Sequence, residues 1–200
     1  MRILIVGATG TIGRALVAAL QDHHELVLAS RHKAGEHVDI SDPASIRALY
    51  ERVGKLDAVV SVAGDAKFTP LAALTDDDFD FSIRNKLMGQ VNLVRYGFAF
   101  VNDGGSFTLT SGVLAQQPMV GGAAPSLVSA GLEGFTRAAA LEAPRGIRVN
   151  IVSPGWVTET LITLKMDPSG GMPAAEVARA YVQTIEGKQS GSVITPGARR

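Results

Sequence analysis

Residues 7–13, GATGTIG, set Gly7, Gly10 and Gly13 behind the apolar run RILIV and ahead of a helical pattern. Glycines placed this way let the chain turn tightly and bring backbone N–H groups close to a pyrophosphate at the positive end of a helix. The alternative is a tight turn kept only for packing. With Thr9, Thr11 and Ile12 between the glycines, the loop is a candidate nucleotide site. The second apolar run ends in ASRHK. An acid there would accept hydrogen bonds from a ribose 2′-hydroxyl, whereas Arg31, beside Ser30, pairs with a 2′-phosphate or is a solvated surface charge. Lys33 is a second candidate contact. In VDISDPASI, Asp39 and Ile40 follow the third run, where the carboxylate can meet an adenine amino group. Asp42 caps the helix that Pro43 starts.

A second group of residues bears on reactivity. PSLVSAGLEGFTR, residues 125–137, begins a helix that carries no Tyr, Lys, His or Asp, and its one acid, Glu133, lies two turns in. Ser126 and Ser129 are too weakly acidic to protonate a substrate but can bond a ribose or a water. Ser111, after SFTLT, is either a substrate contact or a turn-forming serine after a strand. Neither Tyr nor Lys occurs between Tyr96 and Lys165. Tyr96 sits late on its helix, at a helix interface. Lys165, Tyr181 and Lys67 are the alternative proton donors, though Lys67 and Asp65 read first as rim charges. His23, His24, His32 and His37 have no metal-ligand spacing and read as loop residues. Asp76, Asp77 and Asp78 suit a helix N-terminus, where negative charge meets the dipole. No metal site is expected. Trp156 is a pocket wall or a core filler. Segment 161–172, LITLKMDPSGGM, reads as a mobile lid with few polar handles, which implies a small, apolar substrate.

These residues need a frame to hold them. RILIV (2–6), ELVLAS (25–30), DAVVSVA (57–63), SFTLT (106–110) and IRVNIVS (147–153) read as buried parallel strands, since their runs of Val, Ile and Leu suit a sheet covered on both faces. Helical patterns near 11–21, 43–53, 76–101 and 125–143 alternate with them, and the tail adds a helix at 173–186 and a strand at 192–195. The prediction is a three-layer α/β/α, doubly wound fold with a mainly parallel sheet of about seven strands. Too few residues separate Ser30 from HVD (37–39) for a crossover helix, so that helix is missing and the third strand is short. Neither repeat nor linker interrupts residues 1–200, so one domain is expected.

Composition narrows the partners. The chain is 46% hydrophobic and 19% charged, with 22 Gly and no Cys, which excludes disulfides and thiol chemistry. Zero formal net charge gives no reason to expect nucleic acid or an anionic membrane. The N-terminal apolar run is broken by Gly too early for a signal peptide, and no stretch approaches the roughly 20 apolar residues of a membrane span. A cytoplasmic location is expected.

Several motifs together resemble the short-chain dehydrogenase/reductase family over nearly the whole chain. GATGTIG is similar to its cofactor loop in extended and atypical members, SVAG (61–64) to its NNAG, and RNKLMGQVNL (84–93) to its Asn-bearing helix. GIRVNIVSPGWVTET (146–160) matches its most specific motif. The resemblance implies NADP(H) as cofactor, with Ala63 and Gly64 along the adenine ribose and Pro154, Gly155, Val157 and Thr158 at the nicotinamide side. It assigns Asn85 and Ser111 to the family's catalytic Asn and Ser. Aligning GLEGFTR puts Pro125 at the catalytic Tyr and Ser129 at the Lys, so the proton donor and the cation that lowers its pKa are both missing. The family also implies a homodimer or homotetramer through helices 81–101 and 125–143, where FTRAAALEA lets helices approach closely. Two functions fit: an NADP(H)-dependent oxidoreductase with a non-standard proton route, or a cofactor-binding sensor or scaffold without turnover.

Overall fold

The apolar runs form strands β1 (Arg2–Val6), β2 (Glu25–Ser30), β3 (Glu36–His37), β4 (Leu56–Ser61), β5 (Val101–Thr110), β6 (Arg148–Val152) and β7 (Val193–Ile194). The computed structural model describes residues 1–32 and 35–197, so the expected contact at Lys33 lies outside the described residues. The seven strands make one sheet in the order β3-β2-β1-β4-β5-β6-β7, every neighbouring pair parallel. The described residues form seven α-helices, most of them packed on the sheet's two faces: α1 (Thr11–Leu20), α2 (Pro43–Val53), α3 (Asp76–Ser82), α4 (Gly89–Gly97), α5 (Ala123–Glu142), α6 (Thr158–Thr163) and α7 (Ala174–Glu186). Successive strand residues point to opposite faces. In β1, Leu4 and Val6 join Ile46, Leu49, Leu93 and Leu132 in one core. Ile3 and Ile5 join Leu16, Leu20, Val177 and Tyr181 in the other. The result is the predicted three-layer, doubly wound architecture.

Local chemistry explains several element boundaries. Asp42 accepts the Ala44 N–H at 2.8 Å with Pro43 in the first helical position, as expected for the start of α2. Thr75 and Asp78 form a reciprocal capping box at α3, which places Asp76, Asp77 and Asp78 in its first turn. Pro125 is the third residue of α5, where the missing N–H would have had no intrahelical acceptor anyway.

Some boundaries differ from the sequence reading. The third strand occupies 36–37 rather than 37–39, because Asp39 turns the chain by accepting the Ser41 N–H and hydroxyl at 2.9 and 2.7 Å. Helix α7 starts at Ala174, with Pro173 as its cap, and the last strand is only Val193–Ile194. The helix expected over 76–101 is broken by a π-helical turn at Ile83–Met88 and stops at Gly97. Strand β5 then begins at Val101, five residues earlier than expected, paired with Leu56 across an irregular register. Gly105 allows this: a Cβ there would fall 2.6 Å from the Asp57 carbonyl oxygen.

Leaving β1, the chain goes to β2 on one side and comes back to β4 on the other. This reversal opens a crevice at the carboxyl ends of β1 and β4, where ligands bind in open α/β sheets.

Candidate active site

A cleft of about 920 Å³ occupies that crevice. Its walls include Gly7, Thr9, Gly10, Ser30, Arg31, Asp39, Ile40, Ala63, Gly64 and Asn85 from the sequence prediction. Gly7 has φ of +91°, and a Cβ there would lie 2.9 Å from the Val62 backbone. Gly13 acts differently: a Cβ would fall 2.1 Å from the Gly7 carbonyl oxygen, so its lack of a side chain lets α1 lie on the loop. Gly10 caps α1 with no side-chain hydrogen bond. The N–H groups of Thr11, Ile12 and Gly13 therefore stand at an uncapped helix N-terminus suited to a pyrophosphate. These features fit a dinucleotide.

Arg31 is exposed at the cleft's rim, with its Nε donating to His32 Nε2 at 3.0 Å. A second guanidinium, Arg14, also lines the cleft and donates to the Thr9 carbonyl at 2.6 Å. Arg14 was missed in the sequence, although it lies one residue beyond the glycine loop. At Asp39 burial would raise the carboxyl pKa, but the Ser41 hydrogen bonds and nearby Arg31 outweigh it and hold the pKa below the ordinary value.

The residues expected at the nicotinamide side, Pro154, Gly155, Val157 and Thr158, are not among the walls of this cleft. They follow β6, two strands along from β4. The Pro154 carbonyl accepts the Val113 N–H at 2.9 Å, which ties this segment to the turn after Ser111. The Thr158 N–H donates to the Met172 carbonyl, and the Met172 N–H to the Trp156 carbonyl, at 3.0 and 2.8 Å, which ties the end of segment 161–172 to the residues just before it. Trp156 is half-buried, tilts against exposed Phe68 at 6.2 Å and belongs to neither core cluster.

At the reaction end, Ser111 follows β5 and is buried, donating from Oγ to Glu133 Oε1 at 3.0 Å. Gln116 Nε2 donates to the other carboxyl oxygen at 2.5 Å. Asn85 Oδ1 accepts the Asp65 N–H at 2.8 Å and so clamps the loop after β4 to the π-helical turn. Beside it, half-buried Lys86 reaches across, its Nζ donating to the Ser111 carbonyl at 3.2 Å. Desolvation lowers the pKa of its ammonium, and Asp65 opposes that shift. Buried Gln90 fixes the relation of this turn to β5, since its amide pairs with both the N–H and the carbonyl of Thr110, each at 2.8 Å.

A family model described as enoyl-(acyl carrier protein) reductase matches residues 8–189. The chain belongs to the short-chain dehydrogenase/reductase family. It is 31% identical to sepiapterin reductase of Chlorobaculum tepidum, with 90% of each chain covered. It is 28% identical to acetoacetyl-CoA reductase of Allochromatium vinosum, covering 94% of this chain and 92% of the other. Among solved structures it is similar to protein lin1944 from Listeria innocua, at 42% identity, 98% of both chains and a TM-score of 0.94. It also resembles a small-chain dehydrogenase in complex with NADPH, at 27% identity, 98% of this chain, 95% of the other and a TM-score of 0.86.

Pro125 and Ser129, the positions that the resemblance sets against the family's Tyr and Lys, are both buried one turn apart on α5. Ser129 Oγ lies 3.8 Å from where a Cβ on Gly112 would stand, so this face looks onto the end of β5. The alternative donors weighed from the sequence lie elsewhere. Tyr181 is fully buried beneath the sheet, its hydroxyl 2.7 Å from Thr110 Oγ1, and burial raises its pKa. Lys165 is exposed on the lid, and Lys67 is exposed above the Phe81 ring at 4.8 Å. The contacts of Lys86 and Glu133 with Ser111, like that of Arg14 with the cleft, were not read from the sequence. The signal for Lys86 was its place directly after Asn85.

Among the described residues no cluster of His, Asp or Glu could hold a metal ion. His24 instead faces Glu186 at 3.4 Å, and His37 meets the Arg31 carbonyl at 3.0 Å. No described helix is long and apolar enough to cross a membrane.

Proposed function

We propose that this chain is an NADP(H)-dependent oxidoreductase, acting as a single cofactor-binding domain. It moves a hydride between the nicotinamide and a small, apolar or pre-activated carbonyl, imine or alkene. The observation that carries the reading is the cleft at the β1–β4 reversal, where the uncapped α1 N-terminus faces a pyrophosphate site and Arg31 stands at the rim. A guanidinium at that place pairs with a 2′-phosphate, and NADP(H) is the cofactor that carries one.

The nicotinamide, when bound, supplies hydride chemistry. The chain's residues do the rest. Gly7, Gly10 and the first turn of α1 hold the pyrophosphate. Ala63 and Gly64 line the adenine ribose, and Pro154, Gly155, Val157 and Thr158 hold the nicotinamide side. The Phe68–Trp156 ring pair and exposed Ile162, Leu164 and Met166 offer apolar surface to the substrate side. Such a surface favours a small substrate with few charges.

Without the family's Tyr and Lys, the site lacks the usual general acid, which contributes about 10²–10⁴-fold. Positioning contributes separately. Simple ketones are therefore slow substrates, and acceptors that need little protonation react faster. The vacancy at Pro125 and Ser129 also favours a second reading, a cofactor-binding sensor or scaffold without turnover.

Fluorescence titration with NADPH, followed by transfer of deuterium from C4-deuterated NADPH to a panel of iminium ions, activated alkenes and ketones, separates the two. Deuterium in a product supports the enzyme. Tight NADPH binding with no transfer to any acceptor supports the sensor, and failure to bind NADPH refutes both.

A further inference from the structure

We propose that Lys86 is the proton source of this site, reaching it from the π-helical turn instead of from α5. The inference rests on the hydride-transfer reading above. A π turn is wider than an α turn and often marks a functional position. Here it carries Asn85 and Lys86 in succession, one clamping the loop after β4 and the other extending to the end of β5. The stem of Lys86 lies against the cofactor cleft: a Cβ on Gly64 would fall 3.1 Å from its Cα and 3.2 Å from its Cγ. The ammonium end donates to the Ser111 carbonyl. Lys86 thus spans from a wall of the cleft to the serine that the family places at the substrate. An ammonium has three N–H donors, and the Ser111 carbonyl takes one.

The neighbouring groups are unsuited to the task. Glu133 accepts hydrogen bonds at both carboxyl oxygens, from Ser111 and from Gln116, so both oxygens are already engaged. The Ser111 proton is directed at that carboxylate rather than at a substrate oxygen. Tyr181 lies under the sheet and Lys165 on the exposed lid. The charged groups around Lys86 are Asp65, whose field favours the ammonium, and Glu133, bonded to the same Ser111.

The step balances simply. The reduced nicotinamide dinucleotide gives a hydride to the carbonyl carbon and is left oxidised. The carbonyl oxygen takes a proton from the Lys86 ammonium, yielding the alcohol and a neutral amine that solvent reprotonates.

Two small probes test this with NADPH: 2,3-butanedione, which needs a proton on oxygen, and N-methyl-1-pyrrolinium, which needs none. Lys86→Met should slow reduction of the dione by about 100-fold or more, within the usual range for general acids. Reduction of the iminium and NADPH affinity should stay within about threefold of the parent, the expectation when only the proton-transfer term is removed. Lys86→Arg, which keeps the charge but holds its proton too tightly to give it up, should not restore dione reduction.

An independent readout needs no turnover. After ¹³C-methylation of lysines, the Lys86 resonance, identified by its loss in Lys86→Arg, should titrate at lower pH than the exposed lysines and shift when NADPH is added. Dione reduction that survives either substitution overturns the assignment. So does a Lys86 that titrates with the exposed lysines, equal loss of both activities in Lys86→Met, or a parent that reduces the iminium but not the dione. If neither probe accepts deuterium while NADPH binds, the hydride-transfer reading fails and the assignment falls with it.

Discussion

Ser111→Ala tests the arrangement of the reaction end without a substrate. Ser111 is 2% exposed and Glu133 6%, so the bond from Ser111 Oγ to Glu133 Oε1 is shielded from water. Alanine removes the donor and leaves a buried carboxylate oxygen without it. A hydrogen bond to a charged group is worth about 1.5–3 kcal/mol. For a domain of this size each kcal/mol moves the melting temperature by about 2–4 °C, so the expected loss is about 3–12 °C. Replacing Glu133 by Gln removes the charge whose desolvation sets that cost. Ser111→Ala should therefore be milder in the Glu133→Gln background, with a coupling of about 1 kcal/mol or more. Urea unfolding of the parent, both single variants and the double variant at neutral pH measures it, with thermal melts as a check. A Ser111→Ala loss below about 0.5 kcal/mol, or additivity within about 0.5 kcal/mol, would refute the claim that a buried carboxylate holds this serine.

Four further outcomes are expected. Arg31→Asp should weaken NADPH binding by about 1.5–3 kcal/mol, roughly 12–160-fold, and leave NADH binding little changed; fluorescence titration with both cofactors checks it, and equal parent affinities for the two would contradict the role of Arg31. Pro125→Tyr with Ser129→Lys places an acid and a cation one turn apart on the α5 face that looks onto β5, so dione reduction with NADPH should rise by about 10-fold or more, read as loss of absorbance at 340 nm. Hydrogen bonds from the Asn102 side chain and the Arg2 N–H hold the Asp57 pKa below its ordinary 3.8. Its stabilising contribution is present above that ordinary value and lost as pH falls through the lower folded value, so the acid-side fall of the urea midpoint below pH 3.8 should be shallower in Asp57→Asn. On the outer face of α5, Leu127 and Leu141 are 50% and 90% exposed beside Gly131 and Gly134, which suits helix pairing between copies; sedimentation showing only a 20.9 kDa monomer at micromolar concentration would contradict a dimer or tetramer.

Much of this protein could be read from local pattern. Runs of Val, Ile and Leu announced strands covered on both faces, because only buried parallel strands favour apolar residues at every position. Gly7, Gly10 and Gly13 announced the nucleotide loop, since a Cβ at Gly7 or Gly13 would strike backbone. Asp42 with Pro43 announced the start of α2 through capping and a fixed φ. The short link after β2 showed that a helix was missing. All of these depend on neighbours within a few residues.

The proposed reaction end does not. It turns on Lys86 meeting Ser111 across 25 residues and on Glu133 meeting Ser111 across 22. Lys86 reaches Ser111 because the helix widens for one π turn at 83–88 and Gln90 then docks on the Thr110 backbone. Neither event leaves a period or a capping signal. From the sequence, Glu133 was an acid two turns into a helix and Lys86 a cation next to an asparagine. Which polar group faces which is decided by how closely packed helices approach the end of β5, and only the tertiary structure sets that distance.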